Sequence, residues 1–150
     1  MGKKRICAKI VPGAGLLLMV LFTYTAVSKL VNLGTFQLRL EQMPYLSSHA
    51  QAISWAIPFM ELVIVGFLLI PKYRTMGLYA SMGLLGLFTS YILVLLNSSS
   101  DLPCSCGGIL STLGWKQHAL FNGAFMAVAL VAIIIDKIRT KETWPHQNTT

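Results

Sequence analysis

The chain has 150 residues and a formal net charge of +7, yet only 11% of its residues are charged while 55% are hydrophobic. With a mean hydropathy of +0.65, it falls outside the class of soluble globular domains, in which about a quarter of the residues are charged. Its basic residues lie at the ends of long apolar runs and form no patch, which argues against a nucleic-acid-binding surface. The composition therefore predicts a polytopic membrane protein.

Four apolar runs are long enough to cross a bilayer as helices, which takes about 20 residues each. In chain order they cover about residues 11–30, 50–70, 75–96 and 118–135. They are joined by a connection around residues 31–49, a tight turn with the sequence PKYR, and a loop at residues 97–117. We therefore predict an all-α fold, a bundle of four transmembrane helices that forms a single domain over residues 1–150.

The distribution of lysine and arginine predicts the orientation of the bundle. Nine of these residues lie in the N-terminal tail, the PKYR turn and the C-terminal tail, and three lie in the other two connections. The positive-inside rule then places both termini in the cytoplasm and the loop at residues 97–117 outside, which in a bacterial inner (plasma) membrane is the periplasm. The N-terminal stretch MGKKRICAKI also resembles the start of a signal peptide, but no small-x-small cleavage site follows, so we expect no cleavage.

The loop contains the sequence PCSCGG, in which Cys104 and Cys106 are one residue apart. A disulfide across one residue closes a small, strained ring with a raised reduction potential, and the two glycines give the backbone the freedom that this ring needs. A redox couple is therefore the favoured interpretation. Two others stay open: a metal clip, with His118 as a third ligand and no obvious fourth, and a structural staple, which so short a loop makes weak. Cys7 is expected to be an inert, reduced cytoplasmic thiol.

Polar residues inside the predicted spans are the other candidates. Glu61 lies well inside the second span, where a charge is costly and usually functional. It is interpreted as a proton relay or as a partner for Lys29, the alternative being a structural hydrogen bond. Lys29, near the outer end of the first span, could instead extend its ammonium to the interface.

The start of the fourth span carries two further candidates. His118 and Asn122 are four residues apart and share a helix face, so His118 could shuttle protons to a leaving thiolate, or could simply cap the helix. Trp115 adjoins the cysteine loop and, with Asn122 and Lys29, is a candidate for cofactor binding. Tyr91 is interpreted as a packing or interfacial aromatic residue.

The sequence resembles the MauE family of DoxX-like membrane proteins from about residue 16 to residue 135. The resemblance rests on PCSCGGIL, followed by LGW, His118 and FN, on SKL at the end of the first span, and on ISWAIPFMEL with Pro58 and Glu61. It implies a four-helix membrane protein linked to thiol–disulfide chemistry. MauE is associated with maturation of the disulfide-rich small subunit of methylamine dehydrogenase, and other DoxX-like proteins with quinone-linked sulfur oxidation.

The implied architecture is also similar to that of DsbB and vitamin K epoxide reductase, which pass electrons between thiols and a quinone. This chain departs from both because it has no second, shuttling cysteine pair, so a soluble partner would have to exchange with Cys104 and Cys106 directly. We therefore predict a thiol–disulfide oxidoreductase that acts on a periplasmic thioredoxin-like or maturing protein. The only candidate cofactor is a quinone, and no resident metal is predicted. The alternatives are a non-catalytic assembly or scaffold factor and, third, a metal-handling protein.

Overall fold

The structure, a computed structural model, describes residues 2–43, 45–97 and 115–143, and every regular element in these ranges is helical. The long helices are α1 (Gly2–Val31), α3 (Ala50–Leu69), α4 (Arg74–Asn97) and α5 (Trp115–Thr143). Each contains a segment long and apolar enough to cross a membrane. The predicted fold class, an all-α bundle with four spanning helices, is confirmed.

The four long helices form a ring in which each packs against two neighbours, in the order α1, α3, α4, α5. Consecutive helices run in opposite directions, as the contacts between α4 and α5 illustrate. Thr75 near the start of α4 donates a hydrogen bond to Asp136 near the end of α5, and Thr89 contacts Met126. One end of the bundle therefore contains the last turns of α1 and α4 and the first turns of α3 and α5. We call it the loop end, because the cysteine loop connects α4 to α5 there.

The interior between the four long helices is filled by close apolar packing. Its buried residues come from all four long helices: Val11, Ala14, Leu18, Phe22, Ile64, Leu68, Leu78, Leu84, Leu85, Ala129, Ala132 and Ile133. The outward faces are also apolar; Leu16, Val20 and Val27 of α1, for example, are all exposed. A bundle that is apolar both inside and outside is typical of helices surrounded by lipid.

The turn between α3 and α4 brings these helices into close contact. A 3₁₀ turn at Pro71–Tyr73 joins them, and the Tyr73 N–H donates to the Ile70 carbonyl at 3.0 Å. A Cβ atom on Gly77 would lie 2.9 Å from side-chain carbons of Leu68 and 3.0 Å from its backbone nitrogen. Only glycine fits at position 77 without displacing α3, as is common where membrane helices approach closely.

The connection that we predicted around residues 31–49 is largely helical, which the sequence analysis did not predict. It contains α2 (Leu33–Glu41) and a 3₁₀ turn at Ser47–His49. Phe36, Leu40 and Met43 recur at helical spacing and are buried against α3 with Ala50. The segment is too short and too polar to cross a bilayer, so its hydropathy does not reveal this amphipathic helix, which covers the loop end.

Candidate functional site

A buried ion pair connects the last turn of α1 to the middle of α3. The Nζ atom of Lys29 lies 2.7 Å from Oε1 of Glu61. Lys29 is 5% exposed and Glu61 is 1% exposed. The sequence left two alternatives for Lys29, a pair with Glu61 or an ammonium that extends to the membrane interface. The structure has the pair with Glu61. Two charges removed from water to this extent are expensive to bury, and their mutual attraction must offset that cost.

Thr25 contacts both partners of the ion pair. Its hydroxyl lies 3.1 Å from Oε1 of Glu61, and its carbonyl oxygen lies 3.5 Å from Nζ of Lys29. The same hydroxyl is 3.2 Å from the carbonyl oxygen of Phe22 on its own helix. Thr25 and Lys29 are four residues apart, which places them on one face of α1 towards Glu61. The pair is therefore part of a three-residue network.

The first turns of α5 supply two further buried polar side chains. His118 is 6% exposed and Asn122 is 5% exposed. Among the residues that the structure describes, Nδ1 of His118 and Nδ2 of Asn122 have no hydrogen-bond partner. Buried polar groups are almost always hydrogen-bonded, so two such atoms one helical turn apart indicate a place where a ligand or a further part of the chain completes the bonding.

A single pocket joins the ion pair to these two residues. It has about 860 Å³ of empty space, counted out to its open side, where this volume includes solvent. The pocket is lined mainly by apolar side chains, together with a few polar ones. The polar and charged residues that line it are Thr25, Lys29, Arg39, Glu61, Tyr91, His118 and Asn122.

Helix α2 forms one wall of the pocket and brings aromatic and cationic groups to it. Phe36, Arg39 and Leu40 of α2 all line the pocket. The ammonium of Lys29 lies 6.0 Å from the centre of the Phe36 ring, within the range of a cation–π contact. Helix α2 therefore encloses the ion pair on the side that the long helices leave open.

The structure brings four of the predicted site residues together: Glu61, Lys29, His118 and Asn122 line one pocket. Cys104 and Cys106 lie outside the described residues. The pocket nevertheless lies at the end of the bundle from which their loop departs, since α4 ends at Asn97 and α5 begins at Trp115. The Trp115 side chain is likewise outside the part of the structure that is described.

Sequence reasoning missed three polar pocket residues. Thr25 could have been found from its spacing of four from Lys29 on the same helix. Arg39 lay in the segment taken for a connection, and its placement required knowing that this segment folds back as α2. Tyr91 was interpreted as a packing residue, and it does pack against the α2 cluster while also lining the pocket.

The lining of the pocket fits an apolar ring with hydrogen-bonding oxygens. The pocket offers apolar side chains with donors from Lys29 and Asn122. These residues fit the predicted quinone, because its carbonyl oxygens accept hydrogen bonds and its ring fills apolar space. Within residues 2–43, 45–97 and 115–143, no three His, Cys, Asp or Glu side chains lie close enough to hold a metal, and two of the three ligands named for the metal clip, Cys104 and Cys106, lie outside these ranges.

Comparison with known proteins gives one family. Neither the curated proteins nor the solved structures contain a match to this chain. The family described as "Methylamine utilisation protein MauE" matches residues 7–135, which is most of the chain and includes all four long helices in large part. The chain is a multi-pass membrane protein that belongs to the MauE family.

Proposed function

We propose that the protein is a membrane thiol–disulfide oxidoreductase that exchanges disulfides with an extracytoplasmic protein through Cys104 and Cys106. The observation that carries the proposal is the pocket at the loop end. There, two buried polar residues of α5 share a pocket with the Lys29–Glu61 pair, and in the sequence they follow the loop that holds both cysteines. Proton-exchanging groups at this end of the bundle suit dithiol chemistry, because every dithiol–disulfide interconversion moves protons with the electrons.

The proposal includes the orientation and the partner. Both termini lie in the cytoplasm of a bacterial cell and the cysteine loop lies in the periplasm, in keeping with the distribution of lysine and arginine. Disulfides persist in that compartment. The partner is a thioredoxin-like or maturing protein with a disulfide-forming cysteine pair of its own.

The exchange conserves electrons and protons. When the protein oxidises its partner, a partner thiolate attacks one sulfur of the Cys104–Cys106 disulfide and a mixed disulfide forms. The second partner thiolate then attacks that bond, the partner disulfide closes, and two electrons and two protons remain on Cys104 and Cys106. The reverse sequence reduces the partner. In either direction His118 is the proposed acceptor or donor of the proton at the thiol, because an imidazole can act as a general base and as a general acid.

A quinone is the electron acceptor or donor that we propose for the pocket. A bound quinone supplies reversible uptake of two electrons and two protons. Lys29 and Asn122 would hold its carbonyl oxygens by hydrogen bonds, and Glu61 and His118 would hold or transfer protons at Oε1 and at the imidazole.

The cysteine pair is tested by substitution and by redox titration of the purified protein. Cys104→Ser and Cys106→Ser should each abolish exchange with a thioredoxin-like partner, and each should trap a mixed disulfide through the remaining cysteine. Cys7→Ser is the matched control and should exchange normally. Full activity in the Cys104→Ser/Cys106→Ser double variant would refute the proposal and favour the non-catalytic assembly factor. A disulfide that stays closed below about −300 mV would refute it as well, because that potential is typical of structural bonds.

The quinone step has its own test. A short-chain ubiquinone analogue should bind the purified protein in detergent, and Asn122→Leu should weaken binding about tenfold, the equivalent of roughly 1.4 kcal/mol for one lost hydrogen bond. Gln51→Leu, an amide-to-leucine change at an exposed position of α3, should leave the dissociation constant unchanged. Equal binding by the wild-type protein and the Asn122→Leu variant would remove Asn122 from the proposed site.

A further inference from the structure

Thr25 has one hydroxyl proton and two acceptors within reach of it. Oε1 of Glu61 lies 3.1 Å from the hydroxyl oxygen, and the carbonyl oxygen of Phe22 lies 3.2 Å from it. A hydroxyl donates one hydrogen bond and accepts up to two. At any moment the Thr25 proton therefore points either to the carboxylate across the helix interface or to the carbonyl on its own helix.

The two choices suit the two protonation states of Glu61. When Glu61 is ionised, Thr25 donates to Oε1. When Oε1 carries a proton, that new O–H group donates to the Thr25 oxygen, and Thr25 turns its own proton to the Phe22 carbonyl. Both side chains stay hydrogen-bonded in each state, and only one bond rotation separates the two arrangements.

We propose that Thr25 is a positioning residue that lets Glu61 take up and release a proton inside the membrane without leaving a buried polar atom unsatisfied. The identity of the proton source depends on the proposed function. A pocket acid such as the His118 imidazolium loses the proton, and an O–H bond forms at Oε1 of Glu61. That O–H bond breaks when the proton returns to the pocket acid. The Thr25 proton itself is not transferred. An unsatisfied buried group is costly, so a carboxyl without this adaptable neighbour is held in one state.

Other groups around the pocket influence the charge of Glu61 and must be counted. Lys29 on α1 contacts it directly, and Arg39 on α2, Tyr91 on α4 and His118 on α5 line the same pocket. With Lys29 and Arg39 both cationic, protonation of Glu61 adds a further positive charge to the pocket. Proton uptake at Glu61 is therefore coupled to the arrival of a negative charge, such as a thiolate or an electron delivered to a bound acceptor.

The test uses infrared difference spectroscopy on the full chain in lipid nanodiscs, with Cys104 and Cys106 both replaced by serine. Acidification should produce a carboxylic C=O band that disappears in Glu61→Gln. The band should lie at the same frequency in Thr25→Ser, and it should shift to higher frequency in Thr25→Val, in which the O–H of Glu61 loses its acceptor. Thr89→Val is the matched control, because the Thr89 hydroxyl contacts the Leu85 carbonyl and the Met126 sulfur and, among the described residues, forms no hydrogen bond to a carboxylate.

A band that is unchanged in Thr25→Val, or no Glu61 band at any pH at which the protein stays folded, would overturn the inference. Because this readout needs no cysteine, it separates the inference from the proposed function. In the exchange assay with both cysteines present, Thr25→Val should lower turnover about tenfold, the rate equivalent of one hydrogen bond to a charged group, and Thr25→Ser should stay within about twofold of wild type. Equal turnover of the serine and valine variants would also refute the role of the hydroxyl.

Discussion

The free energy of unfolding should fall far more when one partner of the Lys29–Glu61 pair is replaced than when both are replaced. The relevant variants are Lys29→Met, Glu61→Leu and the double variant. Each single substitution leaves one buried charge without its counter-charge, at a site where the two side chains are almost wholly excluded from solvent. The double substitution removes both charges and leaves apolar groups of similar volume. Thr25 still has the Phe22 carbonyl as an acceptor in that variant.

The expected magnitudes follow from the geometry of the pair. At a separation of 2.7 Å the attraction is about 6 kcal/mol for an effective dielectric constant of about 20, and the desolvation of two ions cancels most of it. Removing one partner of such a pair typically costs about 3–5 kcal/mol, whereas replacing both is often neutral or stabilising. We therefore expect a coupling energy of about 3 kcal/mol or more between the two sites.

The measurement is reversible unfolding in mixed micelles by titration with sodium dodecyl sulfate, followed by circular dichroism. Lys116→Met, which removes an exposed lysine at the start of α5, is the control for loss of positive charge and should change the free energy of unfolding by less than about 0.5 kcal/mol. The reasoning is refuted if the single variants are as stable as wild type. It is also refuted if the double variant loses the sum of the two single losses.

Three further outcomes are expected. Gly77→Ala should cost about 1–3 kcal/mol of stability in the same unfolding assay, because the added Cβ would meet the backbone of α3. Gly83→Ala, at a position with open space around it, should be neutral or slightly stabilising, and equal effects of the two changes would contradict the close approach of α3 and α4. An impermeant thiol reagent applied to intact cells after reduction should label Cys104 and Cys106 and should not label Cys7. Labelling of Cys7 alone would contradict the proposed topology. Glu61→Gln should lower the rate of disulfide exchange while the Cys104–Cys106 bond still forms, whereas poor accumulation with normal activity per molecule would assign Glu61 a purely structural role.

The long helices could be predicted from the sequence because a bilayer imposes a minimum apolar length, and no other structure explains four such runs in 150 residues. The shared face of His118 and Asn122 followed from their spacing in the same way. The Lys29–Glu61 pair was one of two alternatives that the sequence left open for Lys29, because the rotation of α1 about its own axis, which decides between them, is set by packing against α3. Thr25 was missed for a related reason: a threonine hydroxyl in a membrane helix ordinarily bonds to its own backbone, and only the approach of Glu61 gives it a second acceptor.

The ion pair between α1 and α3 also has a consequence for how the chain enters the membrane. A helix that carries an unpaired charge near its middle inserts at a penalty of about 2.5–3.5 kcal/mol, and Glu61 lies at such a position in α3. The penalty is relieved once α3 lies beside α1, which has already been synthesised and carries Lys29. We therefore expect α1 to remain near the insertion machinery until α3 emerges, so that the two helices move into the lipid together. The residues that form the pocket would then also set the order of assembly.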